Sequence, residues 1–150
     1  MTIEIRTASS QPVAFRTATV DRVDLGARLA ELLPALGGDM RSVGVGQAGA
    51  PFVRYREMAD PLTIEAGVPI AAPVDLPAPA QTGELPSGRR AVCVHVGPYD
   101  ALPQSWERLT AWLDEQGEKA AGAGWESYLT DPGSEPDPAK WVTEISIPLG

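Results

Sequence analysis

The sequence predicts an α+β domain built from a duplicated strand–helix–strand–strand module, a pseudo-twofold antiparallel sheet with two helices on one face and an open seam on the other. Three observations predict it. First, Val13–Leu36 aligns with Arg90–Leu113 at a constant offset of 77, setting Leu25, Leu29, Leu32 and Leu36 opposite Leu102, Trp106, Leu109 and Leu113, an apolar stripe at helical spacing in both copies. Second, Phe52–Val53–Arg54–Tyr55 meets Trp125–Glu126–Ser127–Tyr128 at an offset of 73. Third, Val68–Pro69–Ile70 meets Ile147–Pro148–Leu149 at 79. Changing offsets require only loops of different length.

The elements follow in order. The first strand is expected over Pro12–Val20, with Asp21 or Asp24 capping a helix that runs to about Leu36, where Gly37 and Gly38 end it. Short strands are expected over Arg41–Gly46 and Pro51–Met58, then a turn at Asp60–Pro61 and a strand over Leu62–Ile70. Residues 71–83 carry Pro73, Pro77 and Pro79 among alanines, a composition suited to an extended connector. The second copy opens with a strand over Arg89–Val96, closed by Gly97–Pro98, and a helix over Ala101–Lys119 released by Gly122 and Gly124. Strands over Trp125–Thr130 and Trp141–Leu149 flank a loop, Asp131–Lys140, that holds three prolines. The 150 residues make one domain, 1–150, of two repeats (about 10–70 and 84–149) joined by the Pro/Ala-rich linker.

Composition removes several function classes. A net charge of −8 with no basic stripe opposes direct nucleic-acid binding. Cys93 is the sole cysteine, so no internal disulfide or cysteine metal cluster is expected, and one histidine does not make a multi-histidine metal site. No metal or other cofactor is expected. The start, Met1–Arg6, lacks an apolar signal core and no run approaches membrane-spanning length, so no membrane association and a cytoplasmic location are expected. Gly44 and Gly46 lack the third glycine of a phosphate-binding loop. His95 has no Ser, Cys or acid at motif spacing and reads as a structural histidine on a buried strand.

The chemistry is concentrated in Trp125–Glu126–Ser127–Tyr128. Strand alternation gives Glu126 and Tyr128 one face and Trp125 and Ser127 the other. Val53 of the first repeat becomes the acid Glu126 in the second, an asymmetric charge in a symmetric frame. If Glu126 points into the open seam it meets Val53 and Tyr55; an acid among aromatic and apolar groups attracts a cation strongly once water is displaced. The alternative is a solvated strand glutamate. Glu144, on the face opposite Thr143, Ile145 and Ile147, is expected either to join Glu126 across adjacent strands or to stand at the surface. Tyr99, at a strand-to-helix turn, is expected at the end of the cleft or in packing of the helix start. Trp106 and Trp112 read as core residues of the second helix, and Trp125 as core or ligand contact.

Gly97–Pro98–Tyr99–Asp100 before a Trp-bearing helix, then Trp125–Glu126–Ser127–Tyr128 with Asp131–Pro132, then Thr143–Glu144–Ile145 ending in Ile147–Pro148–Leu149, resemble the GyrI-like small-molecule-binding domain. The resemblance spans residues 10 to 149 and includes Glu65–Ala66–Gly67–Val68–Pro69. It implies a cleft that receives bulky aromatic or cationic compounds beside a buried glutamate, here Glu126, with Tyr128, Tyr99 and Tyr55 as cage members. Regulators with this domain carry a fused DNA-binding region; only about ten residues precede the first expected strand here, so a stand-alone member is expected.

The leading expectation is therefore binding of a bulky hydrophobic or cationic xenobiotic, by sequestration or within a resistance system. The alternative is a cofactor-free hydrolase opening the cyclopropane ring of DNA-alkylating natural products, with Glu126 orienting water and Tyr128 or Tyr99 stabilising the oxyanion. A gyrase-protecting interaction protein is third, with only an acidic surface to support a protein partner.

Overall fold

The duplicated leucine stripes and alternating strands are realised in two compact units, residues 10–86 and residues 2–9 with 87–150. The computed structural model describes residues 2–150; Met1 lies outside them. In order the elements are β1 (Thr2–Ala8), β2 (Gln11–Val20), α1 (Leu25–Ser42), β3 (Phe52–Glu57), β4 (Leu62–Pro69), β5 (Gln81–Leu85), β6 (Gly88–Val96), α2 (Leu102–Gln116), β7 (Trp125–Tyr128) and β8 (Val142–Pro148). One unit orders its strands β3-β4-β2-β5 and the other β7-β8-β6-β1, every pair antiparallel.

The duplication holds at the level of single residues. Phe52 pairs with Gly67 as Trp125 pairs with Ser146, and Val13 pairs with Pro69 as Arg90 pairs with Pro148. Those are the offsets of 73, 77 and 79 read from the sequence. Each unit also includes a strand taken from ahead of the other repeat: β1 pairs with β6, and β5, which lies partly in the expected linker, pairs with β2.

Each helix covers one face of its own unit's sheet. Leu36 and Met40 of α1 pack with Ala14, Val68, Ile70 and Ala80; Leu102, Leu109 and Leu113 of α2 pack with Ala91, Cys93, Ile145 and Ile147. α1 runs through Gly37 and Gly38 to Ser42, so the strand expected over Arg41–Gly46 does not form. Met40 continues the stripe Leu32–Leu36 at four-residue spacing and is 4% exposed, while Arg16 of β2 grips Asp39 through two hydrogen bonds of 2.7 and 2.9 Å. Burial and this fork outweigh two helical glycines, each unfavourable by about 1 kcal/mol. α2 ends earlier than expected, at Gly117, whose positive φ of 67° lets Glu118 N–H reach back to the Leu113 carbonyl.

Candidate functional site

Cross-strand partners share a face of a sheet, so the ladder fixes where each candidate points. Glu126 pairs with Ile145, which pairs with Cys93; Tyr128 pairs with Thr143, which pairs with His95. This is the face that α2 packs on. Glu126 and Tyr128 therefore lie on the α2 side of their sheet, not on the side opposite the helices, where sequence reasoning had set the open seam. Val53 and Tyr55 pair with Ala66 and Ile64, and lie by the same rule on the α1 face of the other unit, both buried.

Glu126 is 4% exposed. Two neutral donors hold its carboxylate: Trp106 Nε1–H to Oε1 at 2.7 Å and Tyr128 O–H to Oε2 at 2.7 Å. Trp106 reaches it because Gly124, one residue before β7, has no side chain; a Cβ there would lie 2.8 Å from the indole ring and 3.0 Å from the Ser146 carbonyl oxygen. Tyr128 in turn packs on Tyr99, ring centroids 5.5 Å apart, and Tyr99 packs on Trp141 at 4.8 Å. The result is a carboxylate approached by Trp106 and Tyr128, with Tyr99 and Trp141 extending the aromatic surface.

The turn that carries Tyr99 is fixed by His95. Its Nε2 donates to the Pro98 carbonyl at 3.0 Å, and its Nδ1 is hydrogen-bonded with the Ser105 hydroxyl of α2 at 2.7 Å. Gly97, at φ 138°, makes the sharp exit from β6, and its N–H bonds the Trp141 carbonyl at 2.8 Å. Burial raises the Tyr99 phenol above its usual 10.0, and the charges of Asp131 and Glu126 raise it further. The phenol stays protonated and able to donate. His95 is thus a satisfied structural residue, as its sequence setting indicates, and it positions Tyr99.

Glu144 does not join Glu126. It pairs with Ser127 and Val94 on the opposite face and accepts a hydrogen bond from Arg6 at 3.1 Å. The reason is register: Glu126 stands opposite Ile145, one residue along, and a shift of one reverses the face. Trp125 is also on that opposite face, 1% exposed with the Arg90 guanidinium 5.1 Å above its ring. Two contributors were missed by sequence reasoning. By sequence Trp106 reads as core, since it matches Leu29, and Trp141 reads only as a strand start. Gly124 next to β7 was the available sign that a large ring comes close.

Among the described residues, no group of three or more His, Cys, Asp or Glu could hold a metal ion, and no helix is long and apolar enough to cross a membrane. A hollow of about 220 Å³ lies elsewhere, against α1, lined by Leu33, Leu36, Met40, Val45 and Val68, and contains none of the candidate residues.

The fold and site together define a class: a duplicated α+β sheet that carries a buried, aromatic-flanked carboxylate. The chain matches the family model of the GyrI-like small molecule binding domain over residues 1–149, and belongs to that family. Comparison with curated proteins returned no match. Among solved structures, the EcmrR C-terminal domain superposes with a TM-score of 0.89 at 19% identity, covering 99% of this chain and 97% of that one. Against the EcmrR chain in its DNA complex the TM-score is 0.87 at 19% identity, and this chain spans 57% of that chain's length. SAV2435 bound to tetraphenylphosphonium gives 0.71 at 16% identity over 100% and 94% of the two chains. A hydrolase from Listeria innocua gives 0.63 at 13% identity over 99% and 91%. At these identities the likeness establishes the fold.

Proposed function

We propose that this chain binds bulky, flat aromatic or cationic small molecules beside Glu126. The observation that carries the reading is a carboxylate 4% exposed, held by two neutral donors and set among aromatic rings. Burial weakens water's screening of the charge, so an incoming cation gains more from it than from a surface glutamate. The rings of Tyr99, Tyr128 and Trp141 offer stacking and cation–π contacts to the same guest. That SAV2435 has been seen with the aromatic cation tetraphenylphosphonium supports this choice of ligand class. The biological setting we propose is capture of a xenobiotic, with the chain acting on its own.

The test is titration with N-methylacridinium and with neutral acridine, which match in shape and differ in charge. The cation is expected to bind more tightly, and crosslinking or ligand density is expected at Tyr99 and Tyr128. Equal affinity for the two, or contact confined to other surfaces, contradicts the proposal.

One observation favours a second reading. The Tyr128 hydroxyl sits 2.7 Å from Glu126, against Tyr99, whose phenol is held protonated. A carboxylate able to orient water beside a phenolic donor is the minimum equipment for opening a strained cyclopropane whose carbonyl becomes a phenol. A spirocyclopropyl alkylator would then give a ring-opened, water-added product over many turnovers, slowed by Tyr128→Phe more than binding is weakened. Product limited to one equivalent of protein would remove the hydrolase and leave the binding role.

A further inference from the structure

β1 forms an outer edge. All seven of its residues pair with β6, and among the described residues no strand pairs with its other side. Proteins usually blunt such edges, because a row of open N–H and C=O groups recruits another strand. β5, the edge strand of the other unit, is blunted: it has five residues, Gly83 at its centre, Pro79 just ahead and Pro86 directly after. β1 has neither glycine nor proline, and Ile5 on its α2 side is 39% exposed.

The sequence of β1, Thr-Ile-Glu-Ile-Arg-Thr-Ala, is also complementary to itself. A two-fold axis perpendicular to the sheet keeps each face continuous, so two antiparallel copies must centre on a residue. Centred on Ile5, Glu4 stands opposite Arg6 of the second copy, Arg6 opposite its Glu4, and the two half-exposed Ile5 side chains meet. Moving the centre by one residue places Glu4 opposite Glu4, or Arg6 opposite Arg6, so charge selects the register. Within one molecule the Arg6 guanidinium already serves two acids, Glu4 at 2.5 Å and Glu144 at 3.1 Å.

We propose that β1 is a homodimerisation edge, by which a second copy of this chain extends the sheet antiparallel about Ile5. A seam of one strand is a small interface, so the dimer is weak and dependent on concentration.

Sedimentation velocity over a wide concentration range tests it. Wild-type protein is expected to shift reversibly from monomer to dimer. Glu4→Lys makes both charges of the edge positive. Arg6→Glu, made with Glu144→Gln so that the new acid does not face Glu144, makes both negative. Each variant alone should dimerise at least about tenfold more weakly, while an equimolar mixture should associate again as a heterodimer. Circular dichroism checks that each variant is folded, and Glu4→Lys, a change at an exposed position, carries the test if the other is not. A wild-type protein that stays monomeric throughout, or a dimer indifferent to Glu4→Lys, overturns the proposal.

Discussion

Tyr99 shows how burial and charge act together on one residue. Its phenol is raised above 10.0 by desolvation first and by Asp131 and Glu126 second, so the fold favours the protonated form. Above pH 10 the unfolded chain loses that proton while the folded chain keeps it. The contribution of Tyr99 to stability is therefore whole below pH 10 and is lost as the pH rises through the folded value. Melting temperatures of wild type and Tyr99→Phe should differ by a constant amount between pH 7 and 9. The wild type should then lose ground to the variant above about pH 10. Parallel curves through that range would contradict the assignment. Single residues were also where sequence reasoning reached least far. The contrast of Val53 with Glu126 was legible from the alignment and burial of Glu126 was implied by the family resemblance, but its bond to Trp106 was not legible, since it depends on how close α2 comes to β7.

At the scale of elements, that closeness rests on Gly124. Gly124→Ala would place a methyl 2.8 Å from Trp106 and 3.0 Å from the Ser146 carbonyl oxygen, so the indole must shift away from Glu126. The expected cost is about 1–3 kcal/mol in stability, read by denaturant melts, with weakened binding of an aromatic cation in the folded variant. A variant as stable as wild type, with unchanged affinity, would mean that Trp106 does not depend on this gap. Helix and strand types were readable from periodicity, because apolar spacing reports which face is buried. Ends were not. Gly37 and Gly38 suggested a stop after Leu36, yet Met40 and the Arg16–Asp39 fork continue α1 for more than another turn. β1 and β5 were missed for different reasons: β1 alternates Ile3 and Ile5 with Thr2, Glu4 and Arg6 but is largely exposed and lies ahead of the repeat, and β5 follows a proline-rich stretch whose composition argues against pairing.

For the molecule as a whole, the duplication was the most legible property, since the same ladder register recurs in both units at the offsets read from the sequence. Its consequence for function is a symmetric frame in which the acid Glu126 takes the place of the apolar Val53. Cys93, fully buried beneath α2 with its thiol raised by desolvation, reports on the integrity of that frame. It should resist a thiol reagent in the native protein and react only as fast as the unit opens, with the rate rising in denaturant. Rapid labelling under native conditions would show that the α2 unit opens locally. The most direct test of the central claim is the affinity of N-methylacridinium for wild type and for Glu126→Gln, measured by calorimetry beside neutral acridine. Glu126→Gln keeps the shape of the side chain and deletes its charge, so binding of the cation should weaken by roughly 1–3 kcal/mol while acridine is little affected. Equal loss for both ligands, or no loss for the cation in a folded variant, would contradict a buried carboxylate as the feature that selects the ligand.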